Sequence, residues 1–236
     1  MHEPHELGRV VPEVTRPVVL MMAAVVTVSL ASCAAEEPPA VAPDLVWNGA
    51  EPDGPLESDP WVSTIRAGHL AFGLAANAAD FSDPDLTRTW RPTEVDQFVT
   101  RAQGELLRGN AKVYLGPLPF APLAVEVEEG GTSARVAACI DDYDTLPREP
   151  ADGSRWPTPL IYFVELTGDG QRRIVGAERP PEQFVLPDGA ELTPDYCDGV
   201  PIPRATFDPP PDLETLSKKG RDDVVPPAPS DPSVAP

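Results

Sequence analysis

His69 is the first residue whose type and position suggest chemistry. The chain has three histidines, and His2 and His5 fall in its first few residues, ahead of any domain-like pattern. His69 lies on what reads as the apolar face of a helix, so it should point into the protein interior. An imidazole there acts as a general base if a carboxylate orients it. The acids that come next in sequence, Asp80, Asp83 and Asp85, follow a turn and do not share that face. His69 is therefore a weak catalytic candidate, and a packed histidine is the stronger expectation. A second group, Asp141, Asp142 and Asp144, has the oxygen chemistry of a calcium site. Its spacing matches no calcium loop, and a solvated strand end is expected. Asp169, between Gly168 and Gly170, reads as hairpin-turn chemistry. The serines have no nucleophile-elbow context, and no glycine-rich phosphate loop occurs. Neither a cofactor nor a metal is expected.

These residues need elements to position them. Asp59 is a good N-cap and Pro60 suits a first helical turn. Trp61, Ile65, His69, Phe72 and Ala76 then recur every three or four residues, which predicts a helix fading near Asn77. Gly68 and Gly73 would permit close packing along it. The stretch DFSDPDLTRTWRP predicts a turn with one short helical piece. A second helix opens at Thr93, carries the stripe Val95, Phe98, Val99, Ala102, Leu106 and Leu107, and stops at Gly109. Strands follow. Leu123, Val125 and Val127 alternate with polar or small residues, and after the turn at EEGG so do Ala134, Val136, Ala138 and Ile140. A second hairpin runs from Leu160 to Glu165 and returns over Arg172 to Ala177. A shorter strand is expected over Ala111 to Leu115. Helices first and antiparallel strands after predict an α+β domain, with the helices on one face of a curved sheet.

The N-terminus carries a different message. Val18 to Leu30 is an uncharged apolar run of thirteen residues. It is shorter than the roughly 20 residues a membrane span needs, but it fits the core of a signal peptide. Leu30, Ala31, Ser32 and Cys33 follow directly, and LASC resembles the bacterial lipobox. There the cysteine thiol takes a diacylglyceryl group, and a peptidase that needs small side chains cuts before it. Two acyl chains hold a protein at a bilayer where one does not. Residues 1–32 are therefore expected to be a lipoprotein signal peptide and Cys33 the lipidation site. The alternative is an ordinary secretory signal with an incidental cysteine. Glu3, Glu6 and Glu13 precede the run, which would be explained by a translation start at Val10 or Val11.

Beyond Cys33, residues 33–57 are rich in Pro, Ala and acid and read as a flexible tether, with Trp47 able to dock on the domain. Residues 208–236 have the same character and read as a disordered tail. The domain then occupies 58–207, roughly 150 residues, enough to bury a core. With 38 acidic and 18 basic residues the net charge is −20. Such a surface repels nucleic-acid phosphates and anionic lipid headgroups. Nucleic acid is not an expected partner, and attachment to a membrane needs the covalent lipid.

Several segments between Trp61 and Asp142 resemble secreted actinobacterial lipoproteins with an NTF2-like fold, the cone-shaped domain shared with SnoaL-type cyclases. They are WVSTIRAGHLAF, DFSDPDL, a helix ending in LLRGN, VYLGPLPF, and the strand ARVAACIDDYD with its Cys139-Ile140-Asp141 element. The resemblance spans about 140 residues. It implies an NTF2-like cone and a Cys139–Cys197 disulfide. Export and lipidation of Cys33 point to the same pair from the residues alone, since two thiols would remain in an oxidising space. Two free buried thiols are the alternative. A structural zinc is not expected from two cysteines and one histidine. The expected function is that of a non-enzymatic lipoprotein on the extracytoplasmic face of the cell membrane, binding a partner protein or a small apolar ligand. The alternative is a SnoaL-type small-molecule enzyme using the cone cavity.

Overall fold

A computed structural model describes residues 42–147 and 157–228. The run Val18–Leu30 and Cys33 lie outside the described residues. The chain order is β1 (Asp44–Trp47), α1 (Pro60–Ala78), α2 (Pro84–Thr89), α3 (Pro92–Leu107), β2 (Val113–Tyr114), β3 (Phe120–Val127), β4 (Ser133–Ile140), β5 (Thr145–Leu146), β6 (Thr158–Leu166), β7 (Arg172–Glu178), β8 (Ala205–Asp208) and α4 (Leu213–Ser217). The fold is α+β, with antiparallel sheets that do not close into a barrel.

The capping chemistry expected for α1 is present. The Asp59 carboxylate accepts from the backbone N–H of Trp61 at 2.8 Å and of Val62 at 3.4 Å, with Pro60 in the first turn. Asp83 caps α2 by accepting from Asp85 N–H at 2.8 Å. Gly109 has φ +71°, the left-handed backbone that follows the end of α3. Along α3, Val95 and Val99 are buried. Leu107, expected in the same stripe, is 67% exposed. Its neighbour Leu106 still packs against the core, so Leu107 lies just outside the stripe that α3 buries.

The main sheet has the order β3-β4-β6-β7. Its two hairpins are those the alternating pattern predicts. Val136 stands opposite Val125 on one side and Tyr162 on the other. A bulge between Pro122 and Ala124 interrupts β3, at the proline that cannot donate to the ladder. One face of the sheet packs Phe120, Ala134, Val136, Ala138, Tyr162, Val164 and Ile174 into the same core as Val62, Ile65 and Phe72 of α1. The opposite face carries Ala124, Ala137 and Ile161, covered by Leu186 and Leu192, while Ala121 and Cys139 meet Cys197. Residues 184–202 thus form an arm across the sheet face that the helices leave bare. The strand expected over 111–115 is shorter. Val113 and Tyr114 pair with β5, outside the main sheet.

Two expectations are corrected. The tether does not stay flexible through residue 57, because Asp44–Trp47 pairs antiparallel with Ala205–Asp208, Leu45 facing Phe207 and Trp47 facing Ala205. The tail is not structureless from 208. Asp212 caps a five-residue helix by accepting from Glu214 and Thr215 N–H. Leu216 and Val224 are buried in the main core. Val225 exchanges backbone hydrogen bonds with the end of α1, accepting from Phe81 N–H at 2.8 Å and donating to Ala79 carbonyl at 3.0 Å. In both segments a few apolar residues among Pro and acid are held by distant partners, and elements of four or five residues generate no period to read.

Candidate functional site

Tight packing holds α1 in place along the His69 face. A Cβ on Gly68 would lie 2.6 Å from Ile174 Cδ1 and 2.9 Å from Trp90 Nε1. The absence of a side chain brings α1 close enough for Trp90 Nε1–H to donate to Gly68 carbonyl at 2.8 Å. That contact sets the depth of His69, which is 3% exposed. Its ring packs edge-on against Phe120 and Tyr162, with centroids 5.6 and 5.4 Å away, and is tilted 6.3 Å from Trp90. Its Nδ1 is buried and has no hydrogen-bond partner among the described residues.

Burial lowers the imidazole pKa from its usual 6.5 to about 3, and the positive charge of Arg66 adds to the shift. His69 is therefore neutral across the physiological range. Burial also raises the phenol of Tyr162 far above its ordinary value, so the groups packed around the imidazole carry no compensating negative charge. The acids before and within the first turn of α2 are engaged locally. Asp80 accepts from the backbone and hydroxyl of Ser82 at 2.9 and 2.7 Å, Asp83 caps α2, and Asp85 pairs with Arg88.

Arg66 lies three residues before His69 and was not singled out from the sequence. Its guanidinium is clamped by Glu57, donates to Phe120 carbonyl at 3.2 Å, and sits 5.2 Å from the Phe120 ring centroid and 5.9 Å from that of Trp47. The position three residues before a core histidine on one helix was the only local signal for it. Beside this group lies a cavity of about 140 Å³, walled by Leu45 and Trp47 of β1, Arg66, His69 and Leu70 of α1, Leu118, Ala205 and their neighbours. A second, smaller cavity of about 70 Å³ lies between α1, α3 and α4, bordered by Phe72, Phe98, Tyr114 and Leu216.

The solvated strand end expected of this group holds for Asp142, which is exposed, but not for Asp141. Asp141 is 6% exposed. Arg204 donates to its carboxylate and to Asp144 at 2.9 Å. Asp141 and Asp144 serve an ion-paired link between the end of β4 and the approach to β8. Among the described residues no group of His, Cys, Asp and Glu is arranged to hold a metal ion. Asp169 performs the turn role expected of it. It accepts from the Thr167 hydroxyl, Gln171 N–H and Arg173, which together hold its carboxyl down at about 2. Cys139 and Cys197, 58 residues apart in sequence, form a disulfide-compatible pair with Cα atoms 5.6 Å apart, both completely buried. No described helix is long and apolar enough to cross a membrane.

No family model matches this chain, and no solved structure matches it significantly.

Proposed function

We propose that this chain is an extracytoplasmic lipoprotein, anchored in the membrane by acyl chains on Cys33, whose α+β domain works by binding rather than by catalysis. The juxtaposition of Cys139 and Cys197 carries the reading. A cysteine pair that closes a long loop fits an oxidising compartment, and LASC directly after an uncharged apolar run supplies the route there. Helices packed on one face of an antiparallel sheet support an NTF2-like cone as the finer description. The ion-paired acids and the single buried imidazole favour binding. A base with a pKa near 3 takes up a proton about four orders of magnitude less readily than one with a pKa near 7. A SnoaL-type enzyme built on His69 would need a group to restore that basicity, and the residues packed around it are Phe120, Tyr162 and Trp90.

Cell fractionation of the wild type and of Cys33→Ser tests the reading. The wild type should sediment with membranes and be digested by protease added outside the membrane. Cys33→Ser should lose the anchor or stay unprocessed. Equal membrane retention of a processed Cys33→Ser variant would overturn the lipid anchor. A cytoplasmic, protease-protected wild type would overturn export.

A further inference from the structure

We propose that the cavity between α1, α3 and α4 binds a small branched aliphatic carboxylate, its alkyl end inside and its carboxylate on Arg101 and Lys112. The proposal rests on the binding role given to the domain and names the chemistry of a ligand. The wall comes from the end of α1, one face of α3, the segment leading into β2, and α4; none comes from the four-stranded sheet. The site is thus separate from the packed interior between that sheet and α1.

The cavity has an apolar floor and a polar rim. Ala79, Phe81 and Leu216 of its wall are buried. Arg101 and Asn110 of the same wall are exposed, so the opening lies on their side. Phe98, Arg101, Ala102 and Glu105 recur at three or four residues, and that spacing puts them on one face of α3. Size limits what can enter. A volume of about 70 Å³ is half the roughly 150 Å³ of an apolar protein cavity that takes up benzene. By that measure it admits about three carbons, an isopropyl-sized group, and no ring.

Charge selects the head group. Arg101 and Lys112 border the cavity, and neither has an ion-pair or hydrogen-bond partner among the described residues. Both stand beside its aromatic wall. Lys112 Nζ lies 5.8 Å from the ring centroid of Tyr114. The positive charge of Arg101 reaches Tyr143, whose ring packs 4.6 Å from that of Tyr114. The one acid of the rim, Glu105, is already paired with Arg108 and held further by Asn110. The rim therefore sets Arg101, Arg108 and Lys112 against a single carboxylate, in a chain whose net charge is −20. A ligand carboxylate supplies the missing negative charge and accepts from both free cations. A zwitterionic amino acid of the same shape would bring an ammonium group against them.

The test uses the full chain with ¹³C-labelled alanine and leucine methyl groups and the probes isovalerate, 3-methylbutan-1-ol and leucine. Isovalerate should shift the methyl resonances of Ala79, Ala102 and Leu216 saturably, with a roughly millimolar Kd, as a buried isopropyl group and exposed ion pairs give. The alcohol keeps the shape without the charge and should bind about five-fold more weakly, the loss of one exposed ion pair. Leucine should bind no better than the alcohol, and added salt should narrow the gap between acid and alcohol. Ala102→Leu, which fills the cavity from α3, should abolish binding of both. Arg101→Gln with Lys112→Gln should remove the preference for the acid and leave the affinity for the alcohol unchanged. That pair lies on the rim and leaves the core alone, so it decides the matter even where Ala102→Leu fails to fold. No saturable shift at these methyl groups, equal affinity for acid and alcohol, or a preference that survives both glutamine substitutions would overturn the proposal. None of these outcomes bears on acylation at Cys33, so this reading and the lipoprotein reading fail separately.

Discussion

Acidification should destabilise this domain through His69 by an amount the structure fixes. The imidazole has a pKa of about 3 when folded, held there by burial and then by Arg66. In the unfolded chain it returns to 6.5. Between those values the unfolded state binds a proton that the folded state refuses, so stability falls as the pH falls. The contribution is complete above 6.5 and is lost progressively down to about 3. Each unit of pH below 6.5 removes about 1.4 kcal/mol. Moving from about pH 7.5 to about pH 4.5 therefore removes roughly 3 kcal/mol, a large part of the 5–15 kcal/mol of a typical domain. Carboxylates also titrate in this range, so the comparison needs His69→Phe, which keeps a ring in the aromatic cluster and has no proton to bind. Denaturant unfolding of both proteins at the two pH values gives the result. The stability of the wild type relative to His69→Phe should drop by about 3 kcal/mol on acidification. Parallel pH profiles for the two proteins would refute the reasoning, and so would a His69 resonance titrating near 6.5.

Other perturbations test the remaining links. Gly116→Ala would place a Cβ 1.9 Å from Ala205 carbonyl oxygen and 2.9 Å from its carbon. Backbone cannot swing aside as a side chain can, so a loss above about 2 kcal/mol is expected in thermal or denaturant unfolding. Deleting the chain after Asp208 would uncover the core that Leu216 and Val224 complete, and should lower the melting temperature by several degrees; a truly structureless tail could be removed without effect. Reducing the Cys139–Cys197 pair should cost roughly 4 kcal/mol, the chain-entropy value for a loop of this length, visible as an earlier unfolding midpoint with reductant.

The parts of this fold that could be read from the sequence are those with a sustained period. α1 and α3 repeat their apolar residues over three or more turns, and the β3–β4 and β6–β7 hairpins alternate across short turns. The cysteine pair could be read because so few thiols are available. What could not be read depends on distant partners. β1 and β8 lie at opposite ends of the described chain and pair over only four residues, and the buried face of α4 amounts to Leu216. The same holds for charge. Asp141 reads as an exposed acid until Arg204, from another part of the chain, is brought against it. His69 was placed on the inner face by its spacing, while its aromatic surroundings were not. Phe120, Tyr162 and Trp90 come from three separate elements or their ends, and only the fold assembles them.

The most direct test of the central claim is peptide mapping by mass spectrometry of the protein isolated from its own membranes without reductant. An N-terminal peptide beginning at an acylated Cys33, together with a linked peptide joining Cys139 to Cys197, is the expected result. An unmodified Cys33 inside an uncut chain, with free thiols at Cys139 and Cys197, would contradict it.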